Sequence, residues 1–192
     1  MLSVDEDSPA DMLDLDKPDC DIRRQRTKEI KWELMKVYRE AYRKYPEYGE
    51  IRERDMHRHF QRLERAKPDG FLIATEEDEI LGFIVDSPRS LEEERRGVGG
   101  IEELVVSPRA KGKGLGKKLL RRAIHNLKCQ GCKEIFLEVG RHNLEAQSLY
   151  RQHGFKYAGE EDEWIQMIKR IHQKKDLFAP GLKEERAAAA AR

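Results

Sequence analysis

The stretch "RAKGKGLGKKLL", residues 109 to 120, sets three glycines and five basic residues between two apolar segments of different period. Before it, "IEELVVSP" reads as a strand. Behind it, Leu115, Leu119, Leu120, Ala123, Ile124 and Leu127 recur on one helical face. A strand that turns through a short loop into an amphipathic helix commits the chain to helices packed on a sheet. Glycines also let the backbone approach an anion, and the free N–H groups of a helix N-terminus point at it, so a pyrophosphate is a suitable guest. Two well-known phosphate loops are excluded. Counted from Gly112, the second glycine of a Walker A loop and the third glycine of a dinucleotide fingerprint both fall on Lys117, and no Ser or Thr follows. The stretch alone also fits a plain strand-to-helix turn with solvated lysines.

The rest of the chain alternates in the same way. "CDIRRQR" reads as a short strand, and Ile30, Leu34, Val37, Tyr38, Ala41 and Tyr42 recur at helical spacing. "YPEYGE" breaks that helix. Ile51, Met56, Phe60 and Leu63 mark a second one, ending at "KPDG". "FLIAT" and "ILGFIVD" flank the charged turn "EEDE" as an antiparallel hairpin, and the polar loop "SPRSLEEERRGVGG" leads to the strand "IEELVV". After the glycine loop and its helix come the strand "EIFLEV" and a short helix in "NLEAQSLYRQHG". "FKYAG" and "WIQMIKRI" form a last hairpin. The order is β-α-α-β-β-β-α-β-α-β-β, an α/β (α+β) chain with a mixed sheet and helices on its faces.

A length of 192 residues suits one core. The first nineteen residues hold seven Asp or Glu and one Lys, which places −6 there and +7 on the remainder, given a total of +1. Residues 1–19 therefore read as an acidic disordered tail, 20–171 as the folded domain, and 172–192, with Pro180, Gly181 and an alanine run, as an appendage that is partly helical or disordered. The basic body suits an anionic ligand as well as simple solubility. No apolar run is long enough to span a bilayer, and the start lacks the order of a signal peptide, so a soluble cytoplasmic protein is expected. Three cysteines make no disulfide framework. Cys129 and Cys132 form a single C-x-x-C without a second pair, so no metal is expected. His57 and His59 lie on a polar helix among arginines and read as solvated.

What remains of the glycine stretch is R-x-x-G-x-G, carried by Arg109, Gly112 and Gly114 after a strand. It resembles motif A of the GNAT superfamily of N-acetyltransferases. "LEVGRHNLEAQSLYRQHGF" is similar to motif B of the same superfamily, with Asn143, Ala146, Tyr150 and the pair Gly154-Phe155 at the matching spacing. The resemblance covers the whole folded region. It implies a mostly antiparallel sheet of about seven strands whose fourth and fifth members splay apart. It implies acetyl-CoA as co-substrate, its pyrophosphate held by backbone amides from Lys111 through Gly112, Lys113, Gly114 and Leu115 to Gly116, with help from Arg109 and Lys111. The pantetheine arm is then expected to pair with strand edge at Leu104, Val105 and Val106, where a backbone N–H meets the acetyl carbonyl. Asn143 caps a helix in either reading, and the family places it near the pantetheine.

Acyl transfer to an amine moves two protons, one off the amine and one onto the leaving thiolate. By resemblance Tyr150 is the thiolate's partner; by itself it is also a tyrosine packing a short helix on the sheet. The base is Glu102 or Glu103, of which the family's polyamine enzymes favour the first, acting through a water. Neighbouring strand residues face opposite sides, so only one reaches the cleft unless a bulge intervenes. The ribosomal-protein and N-terminal acetyltransferases carry "LEVR" where this chain has Leu137, Glu138, Val139 and Gly140, with Arg141 one place late. Its last hairpin turn, from Glu160 to Glu163, is short and acidic, which suits an open acceptor site and a cationic acceptor. Tyr45 and Tyr48 fall where the family often contacts acceptor, and equally suit loop packing.

These readings imply an N-acetyltransferase acting on a primary amine, either a protein lysine or N-terminus or a small cationic amine, as monomer or homodimer, without membrane or nucleic acid as partner. The alternative is a non-catalytic acyl-CoA sensor. Nucleic-acid binding through Lys111, Lys113, Lys117, Lys118, Arg121 and Arg122 lacks interleaved aromatics.

Overall fold

The apolar periods are realised as one seven-stranded sheet of order β1-β2-β3-β4-β5-β7-β6. The strands are β1 (Asp21–Gln25), β2 (Phe71–Glu76), β3 (Glu79–Ser87), β4 (Val98–Val106), β5 (Glu134–Gly140), β6 (Lys156–Glu161) and β7 (Trp164–Arg170). The helices are α1 (Lys31–Ala41), α2 (Glu53–Ala66), α3 (Leu115–Cys129) and α4 (Leu144–Gln152). The structure is a computed structural model that describes residues 21–89 and 97–171. The acidic tail, the appendage after Ile171 and part of the polar loop, residues 90–96, lie outside the described residues.

Alternate residues along the strands feed two cores. On one face Phe71, Ile73, Phe83, Val85 and Val105 meet α1 and α2 through Leu34, Met35, Tyr38, Met56, Phe60 and Leu63. On the other, Leu72, Ala74, Ile84, Ile135 and Leu137 meet α3 through Leu119, Leu120, Ala123 and Leu127, and α4 through Tyr150. Burial of this kind contributes about 1.5–3 kcal/mol for each large apolar side chain, which is what holds helices to both faces.

Every neighbouring pair in the sheet is antiparallel except β4 and β5. That parallel pairing covers only Val98 to Gly100 against Glu134 to Phe136. Beyond Gly100 the two strands part, while β4 stays paired with β3 as far as Val106 and β5 with β7 as far as Gly140. A bulge marks the parting. Asp86 pairs with Ile101 and Val85 with Glu103, so Glu102 is the extra residue of β4. The sheet therefore opens a wedge in its middle.

Several element boundaries differ from the sequence reading, and β6 runs on through Glu160 and Glu161, paired with β7, which leaves Asp162 and Glu163 as the turn. The pair Gly99-Gly100, read as loop, belongs to β4, because a Cβ on Gly99 would stand 3.0 Å from both Cys132 Sγ and Leu127, and only a glycine lets the strand run so close to α3. Ile51, read as the start of the second helix, is 38% exposed and precedes it. The extended backbone of Arg52 delays the helix to Glu53.

Candidate active site

At the end of β4 the chain turns at once. Ser107 donates its amide to the Leu81 carbonyl (2.8 Å), and its Oγ accepts from the Arg109 amide as a short 3₁₀ turn, Pro108–Ala110, begins. Gly112 and Gly114 then take φ of +78° and +75°, left-handed values that a side chain resists. Gly114 is the N-cap of α3, with no side-chain cap and no acidic residue in the first turn. The first amides of a fifteen-residue helix thus face the loop with the positive end of its dipole and no protein acceptor from a capping side chain.

A cavity of about 960 Å³, lined by the end of β4, the segment after α1, the start of α3 and by α4, opens onto this loop. Of the residues expected to hold the co-substrate, Leu104, Val105, Val106, Arg109, Lys111, Gly112, Gly114, Leu115, Gly116, Asn143 and Tyr150 all line it. Lys113 does not. Arg109 pairs with Glu79 (3.0 Å) and Lys111 with Glu145 (2.6 Å), and all four side chains are more than half exposed. Such exposed pairs are weak, so an incoming phosphate displaces them at little cost. Asn143 caps α4 as expected, its Oδ1 accepting from the Ala146 amide (3.2 Å).

The opposite end of the cavity is made of buried side chains. Tyr150, 7% exposed, projects from α4 and packs edge-on against Phe155. Its phenol is pushed well above the ordinary tyrosine range, first by burial and then by the charge of Glu103. Glu103 is itself 8% exposed and reaches into the α1–α2 face, where Tyr42 donates to Oε1 (2.7 Å) and the His59 ring nitrogen Nε2 lies 2.7 Å from Oε2. Neither Glu102 nor Glu103 lines the cavity. Tyr42, which follows α1 directly, does line it.

His59 thus corrects the sequence reading. Its side chain is 9% exposed, against a carboxylate, and not solvated. Tyr42 was legible only as the continuation of an apolar helix face. The spacing carried a signal for both: His59 stands three residues after Met56 and four before Leu63, on the edge of a buried stripe, and Tyr42 stands four after Tyr38.

Gly140 is explained by its neighbour. A Cβ there would stand 2.5 Å from the Tyr48 ring, which also packs edge-on against Trp164 and whose hydroxyl oxygen accepts from the His142 amide at 3.0 Å. Tyr48 is a packed pillar, whereas Tyr45 lines the cavity. Arg141, one place late, is used elsewhere, reaching Glu160 (3.2 Å) and the Asp162 carbonyl (2.7 Å) to pin the β6–β7 turn. His142 lies 3.7 Å from Glu163, so Glu163 in the turn and Glu160 near the end of β6 both have basic neighbours.

Cys129 is exposed and Cys132 buried, and no cluster of three ligating side chains occurs among the described residues. No helix among them is long and apolar enough to cross a membrane.

Comparison with known proteins agrees with this geometry. Residues 32–155 match the acetyltransferase (GNAT) family. An uncharacterized N-acetyltransferase of Archaeoglobus fulgidus is 34% identical over 119 residues, 62% of this chain and 81% of that one. Among solved structures, PH1933 from Pyrococcus horikoshii superposes with a TM-score of 0.71 at 34% identity, over 80% of this chain and 99% of that one. A PaiA N-acetyltransferase from Thermoplasma acidophilum, solved in complex with coenzyme A, superposes with a TM-score of 0.65 at 25% identity, over 79% and 99%.

Proposed function

Since the chain belongs to the GNAT acetyltransferase family and is an N-acetyltransferase with acetyl-CoA as co-substrate, we propose that it acetylates a primary amine, a small cationic amine or a protein amine, by direct transfer in a ternary complex. The observation that carries this reading is the two-ended cleft. Uncapped amides of α3 lie at one end, and Tyr150 and Tyr42 line the rest, with the Glu103 carboxylate bonded to the Tyr42 hydroxyl. In this reading the loop from Lys111 to Gly116 holds the pyrophosphate, and Arg109 and Lys111 exchange their surface partners for it. The free edge of β4 at Leu104 to Val106, left unpaired by the splay, receives the pantetheine, and an N–H there steadies the carbonyl oxygen as charge develops. Tyr150 gives its proton to the leaving sulfur.

The base has the harder task. An amine of pKa about 10.4 is neutral in roughly one molecule per few thousand at pH 7, a cost of about 4.6 kcal/mol, against about 1 kcal/mol for an α-amine near 7.8. Glu103 suits the role better than Glu102. It is fixed by two hydrogen bonds, and its charge reaches Tyr150. Glu102 is the extra residue of the bulge. A cytoplasmic location fits this activity.

Thiol release from acetyl-CoA, measured against spermidine, aminoglycosides, amino acids, lysine peptides and peptides with free N-termini, tests the reading. Turnover on one class, reduced about 100-fold by Tyr150→Phe with acetyl-CoA affinity retained, is expected. Binding of acetyl-CoA without thiol release on any class would favour the sensor. A second check is pH. Because Tyr150 is raised above its ordinary value of 10.0, it stays protonated throughout the neutral range, and kcat keeps its value up to pH 10. A falling limb below that pH which vanishes in Tyr150→Phe would mean that burial does not hold the phenol above its ordinary value. An unchanged kcat in Tyr150→Phe would remove the phenol from the acid's role.

A further inference from the structure

Glu103 presents a problem that the family resemblance leaves open, because the carboxylate does not line the cavity. Its link to the cavity is Tyr42, a residue of the lining whose hydroxyl donates to Glu103 Oε1 at 2.7 Å. The other carboxylate oxygen is held by His59. The Arg62 guanidinium lies 3.4 Å from His59 Nδ1, so that nitrogen accepts and Nε2 carries the hydrogen that points at Oε2. Both oxygens of Glu103 are thus engaged by donors from two different segments, and the carboxylate has one orientation. A phenol is both donor and acceptor. While Tyr42 donates to Glu103, its oxygen keeps lone pairs for a hydrogen arriving from the cleft.

We propose that Tyr42 is a further catalytic residue, a proton relay that touches the acceptor nitrogen on one side and Glu103 on the other, with His59 as the positioning residue for the carboxylate. The proposal rests on the acetyltransferase reading above. The acceptor ammonium gives one proton to the Tyr42 oxygen as Tyr42 passes its own to Glu103 Oε1. The freed lone pair forms the N–C bond to the acetyl carbon. The C–S bond breaks, the electron pair leaves with sulfur, and sulfur takes the Tyr150 proton. The second proton of the acylated nitrogen restores Tyr150, and the proton on Glu103 leaves to solvent.

The surroundings suit a relay that never rests as phenolate. Burial first, and then the charge of Glu103, push the Tyr42 phenol well above the ordinary range, so it enters each cycle protonated. Tyr150 lines the same cavity as Tyr42, so the group expected to protonate sulfur and the one expected to deprotonate nitrogen serve one cleft.

The test is a double-mutant cycle on Tyr42→Phe and Glu103→Gln, followed by thiol release with the best acceptor and by acetyl-CoA binding. A relay predicts that each single variant loses about 100-fold in kcat, that the double variant is no slower than the worse single, and that acetyl-CoA affinity is unchanged in all three. Positioning by His59 predicts that His59→Gln, which keeps an N–H donor, retains more activity than His59→Leu. Wild-type kcat in Tyr42→Phe, or losses that multiply in the double variant, would overturn the relay alone. Equal activity in the two His59 variants would overturn the role given to His59. Absence of thiol release from the wild-type protein on every amine would overturn the acetyltransferase reading, and the relay with it.

Discussion

At the loop end of the cleft, Gly112 and Gly114 have positive φ, and a Cβ on either would meet nothing within 4 Å. At the reacting end, Gly49 is extended at φ −119°, and a Cβ there would stand 2.5 Å from the Tyr42 ring, as one on Gly140 would from the Tyr48 ring. The first pair is glycine for the sake of backbone direction. The second is glycine for the sake of room. One end of the site is therefore written in backbone amides that side chains must not misdirect, and the other in rings packed so tightly that a single methyl group has no place. The division predicts a division of phenotype, with binding failing at one end and turnover failing at the other.

The largest effect is expected from Gly49→Ala. Overpacking a filled site costs about 1–3 kcal/mol, and the neighbour that must yield is the Tyr42 side chain, where the close contacts fall on Cβ, Cγ and Cδ1. Those atoms sit near the backbone and have little freedom to move. The variant should melt several degrees lower, since about 1 kcal/mol shifts Tm by roughly 2–4 °C at this size. It should also lose kcat while acetyl-CoA affinity holds. A variant that loses affinity and keeps kcat would break the division.

The same difference explains what could be read from the sequence. The loop end is contiguous. Strand, glycines and helix follow one another within thirty residues, so Arg109, Gly112 and Gly114 disclosed both the fold and the loop that lines the cleft. The end to which the reaction is assigned draws on residues 42, 59, 103 and 150, and nothing local announces that Tyr42 and His59 meet Glu103 or that Tyr42 and Tyr150 line one cavity. Alternation in a strand says that Glu102 and Glu103 diverge, but the bulge that decides which one turns toward α2 depends on how β3 pairs with β4. His59 looked solvated because its sequence neighbours are arginines and a histidine. It is buried because Glu103, forty-four residues away, lies beneath it. Gly140 looked like a lapse in a family pattern until Tyr48 came to rest upon it.

A smaller effect comes from the loop itself, and it sharpens the comparison because two substitutions of similar size part company. Valine is strained at the φ of +75° held by Gly114, at about 1–2 kcal/mol, whereas asparagine tolerates the left-handed region. With open space around the site, contact cannot confuse the result. Gly114→Val should weaken acetyl-CoA binding about tenfold by turning the α3 amides away, with kcat at saturation kept, and Gly114→Asn should stay close to wild type. Titration calorimetry with acetyl-CoA reads both. Equal losses would mean that the side chain's presence matters and the backbone's direction does not.

The smallest effect concerns the charges at the rim. Lys111 and Glu145 both line the cleft, and their ion pair of 2.6 Å joins the glycine loop to the first turn of α4 with 52% and 58% of the side chains exposed. If Lys111 serves the pyrophosphate, Glu145 is the anion that the phosphate replaces, and the affinity measured is net of that exchange. Exposed pairs contribute about 0–1 kcal/mol, so Glu145→Gln should tighten acetyl-CoA binding by at most about fivefold. The gain should fade as salt rises, because screening weakens both the pair that is lost and the one that replaces it. No gain at low salt would mean that Lys111 does not serve the phosphate and that the loop end works by its amides alone. A gain well above fivefold would place more of the binding energy in side-chain charge than the glycine geometry allows, and the contrast between the two ends of the cleft would then be one of degree.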